Sequence, residues 1–401
     1  MERVAVVGAS LAGLEAAKEL RRAGFTGELV VFGKEPHRPY DRPPLSKELL
    51  AGKWPTENVT LALDTAVDAD WRCGVPVTRL DAGRRILEAG GVAEKFDGIV
   101  IATGATALRP GSLGAGLTGV HTLRTVEDCL ALAADLRAAP GRVLVVGGGF
   151  IGAEVASTCR ALGLPVTVVE GLAAPMVRAL GPEVGGLLAK VHRDHGVDLR
   201  LGTTVFRLEG GARVERAVLS DGSTLDVDVV VLAVGVRPAT DWLDDSGLTL
   251  DGDGGVVCDE TCLAVPGIVA AGDVAVWPNR LFGAARRVEH WDNAIRQGKH
   301  AARRLLAGDD PAGQLPYEPV PWVWSDQFDC KLQVVGSPAP HDEFRLVAGG
   351  VGERRFTGVY RRGDTLVAVV ALNSPRSIVT GRRLIQGRTP WHEATIQLGP
   401  R

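Results

Sequence analysis

The chain has 401 residues, 45% of them apolar, with 51 glycines and a formal net charge of −3. That length allows two or three domains, each with its own core, and the composition suits a turn-rich α/β protein rather than a disordered one. The charge argues against bulk nucleic-acid binding. No apolar run approaches the roughly 20 residues that span a bilayer. The chain opens directly on the strand-like MERVAVVG, which leaves no room for a secretory signal, so a cytoplasmic protein is expected. Cysteines at 73, 129, 159, 258, 262 and 330 show neither a disulfide framework nor zinc spacing.

In chain order, the first strand ends at Gly8, and Gly8-Ala-Ser10-Leu-Ala-Gly13 leads into a helix over Leu14–Arg22. Ser10 stands where a dinucleotide-binding turn has its second glycine, so its side chain crowds the approach of a phosphate. The next strand, Glu28–Phe32, runs into Gly33-Lys34-Glu35, and Glu35 is the nearest carboxylate suited to a ribose. Ile99-Val-Ile-Ala-Thr103-Gly104 closes this half.

The device returns at Arg142–Glu154, RVLVVGGGFIGAE. A β-branched run, Val143–Val146, has the composition of a buried parallel strand. Gly147, Gly149 and Gly152 then form G-x-G-x-x-G before an Ala-rich helix from Phe150. The first glycine permits the tight turn, the second lets backbone approach a pyrophosphate, and the third lets helix and strand pack. The helix N-terminus adds free N–H groups and a partial positive charge. A second strand, Pro165–Val169, ends in Glu170, placed to accept from an adenosine ribose 2′-hydroxyl. Val229–Gly235 closes this half as Thr103-Gly104 closed the first, so two copies of one dinucleotide-binding unit are the simplest account.

A strand at Ile268–Ala271 then carries Gly272-Asp273. From Leu315 the pattern changes. Aromatics bunch at Trp322 and Trp324, and strands are expected over Phe344–Ala348, Phe356–Arg361 and Leu366–Leu372, with a hairpin turn at Arg362-Gly363-Asp364. Ser374-Pro375 reads as the N-cap and first position of a terminal helix.

Four motifs narrow the family: Pro39-Tyr-Asp-Arg-Pro-Pro-Leu-Ser-Lys47, Leu123-Arg-Thr-Val-Glu-Asp128, Val288-Glu-His-Trp-Asp-Asn293 and Pro321-Trp-Val-Trp-Ser-Asp-Gln327. Together with the two Gly turns they resemble the NADH-dependent ferredoxin reductases of bacterial oxygenase and cytochrome P450 systems, from the first strand to about Ile385. The resemblance implies two Rossmann-like domains, the NAD domain inserted in the FAD domain, plus a small α+β C-terminal domain. The limits would be 1–112 and 236–318 for FAD, 113–235 for NAD and 319–401 for the C-terminal domain. It further implies non-covalent FAD, NADH as coenzyme, and an acidic 2Fe–2S ferredoxin as partner, which feeds an oxygenase or P450. FAD would be contacted by Gly8, Ala12, Gly13, Glu35, Arg42, Lys47, Val77, Thr103, Gly104, Arg124, Gly272, Asp273 and Trp291. The second unit would bind NADH through Gly147, Gly149, Ile151, Gly152, Glu154, Glu170 and Gly235. Lys47, Glu154 and Trp291 would serve catalysis, with Lys47 and Glu154 paired and Trp291 against the isoalloxazine, facing the acceptor. Val323 stands where many relatives carry an aromatic residue, and Lys34 where some place the ribose acid.

Nicotinamide delivers two electrons at once as hydride and an iron–sulfur protein accepts one at a time, so a flavin belongs between them. A disulfide reductase of the same plan needs a cysteine pair soon after the first Gly turn, yet no cysteine precedes Cys73. A flavin-carrying signalling protein of the apoptosis-inducing type is the other reading, one with little ferredoxin turnover. His192 and His195 read as a solvated pair and Cys258 with Cys262 as structural. From Arg280 to Arg304 there are seven basic residues against two acidic ones, a stretch suited to an acidic partner. Nothing in the sequence fixes the oligomeric state.

Overall fold

A computed structural model describes residues 1–62 and 67–399; the expected end of the third domain, residue 401, lies outside the described residues. Among them are seven α-helices: α1 (Leu11–Arg22), α2 (Val126–Arg137), α3 (Phe150–Ala161), α4 (Val177–Asp194), α5 (Trp291–Ala307), α6 (Pro375–Gln386) and α7 (Trp391–Leu398). The chain divides into two compact units, each assembled from three stretches. The first unit takes residues 1–41, 60–106 and 237–322; the second takes 42–59, 107–236 and 323–401.

The first unit is built on a six-stranded sheet in the order Leu263–Val265, Ile268–Ala270, Gly98–Ile101, Arg3–Val7, Glu28–Gly33, Asp70–Cys73. At its centre Val4 pairs in parallel with Leu29 on one side and Gly98 on the other. Such a strand is covered on both faces, which is why Val4 to Val7 is an unbroken apolar run and wholly buried. Parallel neighbours need a crossover, and α1 supplies it. The helix opens at Leu11, three residues earlier than the sequence reading placed it, so Gly13 lies inside its first turn. Helices α1 and α5 meet at backbone distance: a Cβ on Gly298 would stand 2.4 Å from the Ala12 carbonyl oxygen.

The second unit repeats the plan. Its parallel strands run in the order Asp198–Leu201, Val166–Glu170, Val143–Val146, Val229–Leu232, Val120–His121. Val143 pairs with Val166 on one side and Val229 on the other, the register that Val4 has in the first unit. The duplicated pattern in the sequence is thus a duplicated three-strand centre.

The same unit carries a five-stranded sheet, ordered Trp322–Gln327, Cys330–Gly336, Thr365–Leu372, Arg355–Arg362, Glu343–Gly350. The last three strands and the Gly363 turn (φ +61°) match the reading of the sequence. The first two strands and α7 were not foreseen. Phe328 and Asp329 join the first two through a turn in which Phe328 itself adopts φ +57°, so no Gly or Asn marks the hairpin. Ser374 does cap α6 and Pro375 opens it, but the Ser374 hydroxyl bonds Ser377 rather than a helix amide. Helices α3 and α4 pack on this sheet through Ala153, Leu180, Val184 and Leu188 against Leu332, Phe356 and Tyr360. Gly181 (φ +77°) breaks α4 after one turn, and the freed Leu180 carbonyl accepts the Tyr360 hydroxyl at 2.6 Å.

Candidate functional site

Each sheet centre delivers its strand into a glycine turn, and steric geometry explains the glycines. In the first unit Gly8 has φ +116°, and a Cβ there would lie 2.1 Å from the Ala102 carbonyl oxygen. A Cβ on Gly13 would lie 1.8 Å from the Gly8 carbonyl oxygen. Ser10 is the N-cap of α1, in extended backbone, and its hydroxyl caps no helix amide. Ala12 and Val77 are buried beside these turns and strands, in one core with Val4 to Val7. Glu35 follows the strand Glu28–Gly33 and accepts the Tyr40 hydroxyl. Gly104 (φ +70°) follows Gly98–Ile101, and Gly272 (φ +78°) follows Ile268–Ala270, its amide held by Gln297 at 2.9 Å. The Thr103 hydroxyl and His290 Nδ1 are buried polar atoms with no hydrogen-bond partner among the described residues. Burial pushes the His290 ring down to about 4, with Asp273 and Asp292 opposing. A glycine cradle at a helix N-terminus, with unpartnered polar atoms in the same unit, fits the adenosine-pyrophosphate part of FAD.

The second unit has the same steric pattern. A Cβ on Gly147 (φ +102°) would lie 2.4 Å from the Ala233 carbonyl oxygen, and one on Gly152 would lie 2.0 Å from that of Gly147. Gly149 differs: it caps α3 with ordinary extended backbone, and a Cβ there meets nothing within 4 Å. The space in front of it suits a pyrophosphate. Exposed Ile151 lies in the first turn of α3. Glu170 ends its strand and accepts the amides of Gly148 at 2.7 Å and Leu172 at 2.8 Å, one on each oxygen. A carboxylate has about four acceptor positions, so two remain for ribose hydroxyls. Gly235 (φ +111°) closes the unit, its carbonyl accepting Leu108 N–H at 2.9 Å. This donor set fits NADH.

Lys47 and Glu154 meet although 107 residues separate them. Pro43 and Pro44 stiffen a short 3₁₀ turn, Pro43–Ser46, and Lys47 is its C-cap. Lys47 Nζ donates to Glu154 Oε2 at 2.7 Å and to the Pro43 carbonyl at 3.0 Å, with both side chains largely enclosed, 13% and 5% exposed. The Ser46 hydroxyl donates to the same Glu154 oxygen at 2.5 Å, and Ser325 donates to Oε1 at 2.7 Å. Four residues further along α3, Thr158 donates to the Ser46 carbonyl at 2.6 Å, and Ser157 accepts the Phe328 amide at 2.6 Å. Ser46, Ser325, Ser157 and Thr158 were not singled out from the sequence. A signal existed: Glu154, Ser157 and Thr158 make an i, i+3, i+4 polar stripe on a helix that is apolar apart from Arg160 in its last turn. Arg42 also belongs to this unit, donating to the Arg124 carbonyl at 2.5 Å, while Arg124 precedes the Thr125–Asp128 capping box of α2.

Trp291 opens α5 in the first unit, and its indole N–H donates to Asp41 at 2.6 Å. Burial raises the Asp41 carboxyl above its ordinary range against that bond. Asp41 lies in the quoted Pro39–Lys47 motif but was not picked out. The basic stretch beyond residue 280 is largely paired locally: Arg280 with Glu260, Arg287 with Glu289, Arg296 with Asp292. One expectation is corrected. His192 is not a solvated partner of His195 but a buried residue of the last turn of α4, bonded to Gln327 at 3.0 Å. Spacing from the helix end suggested solvent; docking of the C-terminal sheet on α4 removed it. Cys258 and Cys262 are buried, and burial pushes the Cys258 thiol up to about 12.

Residues 2–298 match the model of the pyridine nucleotide-disulphide oxidoreductase family, and residues 322–397 match that of the reductase C-terminal family. The chain is 36% identical over 397 residues to the ferredoxin–NAD(+) reductase component of the p-cumate 2,3-dioxygenase system of Pseudomonas putida, covering 97% of this chain and 94% of that one. The structure of the covalent putidaredoxin reductase–putidaredoxin complex is matched with a TM-score of 0.90 at 32% identity, over 97% of this chain and 94% of that one. The ferredoxin reductase for the CYP199A2 system from Rhodopseudomonas palustris is matched with a TM-score of 0.92 at 32% identity, over 99% and 98%.

Proposed function

The chain belongs to the ferredoxin reductases of bacterial oxygenase and cytochrome P450 systems, and on that premise we propose how its own residues carry electrons from NADH through FAD to a 2Fe–2S ferredoxin. Bound flavin supplies the conversion of a two-electron hydride into single electrons. In the first unit Gly8, Ala12, Gly13, Thr103, Gly104, Gly272 and Asp273 hold FAD, with Glu35 on its ribose and Val77 against its apolar part. In the second, Gly147, Gly149, Ile151, Gly152 and Gly235 hold the NADH pyrophosphate, and Glu170 binds the adenosine ribose.

The observation that carries the catalytic assignment is the enclosed pair of Lys47 with Glu154, the latter on the helix that begins at the NADH turn. Glu154 holds the Lys47 ammonium in place, a fixed positive charge that would stabilise an anionic flavin. Proline-fixed backbone keeps Lys47 from relaxing toward solvent. Arg42 and Arg124 add cationic contacts for FAD. Trp291, oriented by Asp41, shields the flavin and faces the acceptor, and Arg286 with its neighbours meets an acidic ferredoxin. Glu170 favours NADH because a 2′-phosphate would meet its charge and lose its hydrogen bond. No described helix is long and apolar enough to cross a membrane, and we place the protein in the cytoplasm. The test is chromatography of the released flavin, which should be FAD, together with NADH-driven cytochrome c reduction that requires added 2Fe–2S ferredoxin. Turnover unaffected by ferredoxin would sink this reading in favour of a signalling role.

A further inference from the structure

Glu154 is the end of a longer line of buried side chains in the second unit. Ser325 Oγ donates to Glu154 Oε1 at 2.7 Å; Gln327 Nε2 donates to Ser325 Oγ at 3.0 Å; Gln327 Oε1 faces His192 Nε2 at 3.0 Å. All four residues are buried. A hydroxyl has one hydrogen, and here it is given to the carboxylate. Ser325 must then be the acceptor from Gln327, which leaves the amide oxygen of Gln327 facing His192. The imidazole therefore carries its proton on Nε2, and every bond in the line donates toward Glu154. The other His192 nitrogen, Nδ1, is buried without a partner among the described residues, and the ring stands edge-on to Phe328 at 5.1 Å. Burial depresses the His192 ring below its ordinary value, in keeping with a neutral imidazole.

We propose that Ser325, Gln327 and His192 are positioning residues for hydride transfer: a directional line of donors that fixes the Glu154 carboxylate so that its other oxygen holds Lys47. The proposal rests on the catalytic reading of Lys47 and Glu154 given above. Direction is its specific content. Were the proton of His192 on Nδ1, the Gln327 amide would turn over, Ser325 would donate to Gln327, and Glu154 Oε1 would lose its donor. The line also explains the Ser-Asp-Gln spacing of the first C-terminal strand. Residues 325 and 327 project to the same face, and that face reaches Glu154 and His192.

The first measurement, on the FAD-loaded protein, is ¹⁵N NMR of the histidine rings. The His192 ring should be the neutral Nε2–H tautomer at pH 7; an Nδ1–H tautomer overturns the proposal. The second is stopped-flow flavin reduction by NADH without ferredoxin. Loss of one donor to a charged group should slow reduction in Ser325→Ala by about tenfold, and loss of the next bond along in Gln327→Met by about threefold, with little change in NADH affinity. The flavin absorption spectrum of each variant should shift in the direction seen for Glu154→Gln. Because Ser325 acts through Glu154, the double variant Ser325→Ala/Glu154→Gln should reduce flavin no more slowly than Glu154→Gln alone. Additive losses mean a merely structural role and overturn the line while leaving the Lys47–Glu154 pair intact. If Glu154→Gln alone reduces flavin at the wild-type rate, the underlying catalytic reading falls, and the proposal with it.

Discussion

The two glycine turns are nearly superimposable in their steric demands and differ where a ligand would sit. Gly8 and Gly147 both have positive φ and both abut a carbonyl of the neighbouring strand's exit; Gly13 and Gly152 both lie against the carbonyl of the first glycine. The second position is different: Ser10 in one turn, Gly149 in the other, both N-caps in extended backbone. A side chain is therefore compatible with the fold at that position. The first and third glycines are required by packing; the second is not, and we tie it to what each turn would hold.

Breaking the shared part should cost most. Gly13→Ala and Gly152→Ala each force a Cβ into a backbone carbonyl, and each should lose on the order of 3 kcal/mol in urea denaturation. A loss below about 1 kcal/mol in either would show that the turns are not equivalent. The ribose carboxylates come next. Glu170→Ala removes both the amide bonds that fix its loop and the charge facing a ribose, so kcat/KM for NADH should fall about 30–100-fold while that for NADPH changes far less. Equal losses for the two coenzymes would leave Glu170 a loop cap alone. Making the turns alike is the sharper experiment: Gly149→Ser should leave stability within about 0.5 kcal/mol, since Ser is a good N-cap, yet raise the KM for NADH about tenfold. An unchanged KM would remove the ligand-based account of Gly149.

The smallest expected effect separates the units by acid sensitivity. His290, in the first unit, has its folded value lowered to about 4 from an ordinary 6.5. The unfolded chain then binds more protons than the native state between those values, so the ring's contribution is intact above pH 6.5 and is lost as pH falls toward 4. Between pH 7 and 5.5 the wild type should lose about 1 kcal/mol more than His290→Gln. Parallel pH profiles would mean that the ring protonates in the native state as it does in the unfolded chain.

Sequence alone determined what depends on neighbouring residues. The positive φ of Gly8 and Gly147, a buried strand at Val143–Val146, and a proline-fixed turn before Lys47 each depend on a few adjacent residues, so they are visible as motifs. Duplication was visible for the same reason. Pairing of Lys47 with Glu154 came through family resemblance, because nothing local relates residues 107 positions apart. Only the tertiary structure decided the rest of that cluster. Ser46 lies in one quoted motif, Ser325 and Gln327 in another, and His192 in none; they meet because the C-terminal sheet packs on α3 and α4, and that packing makes a surface-looking histidine a buried donor. The Phe328-Asp329 hairpin escaped for a related reason. Its left-handed residue is an aromatic held by long-range contacts, where local energetics favour glycine or asparagine.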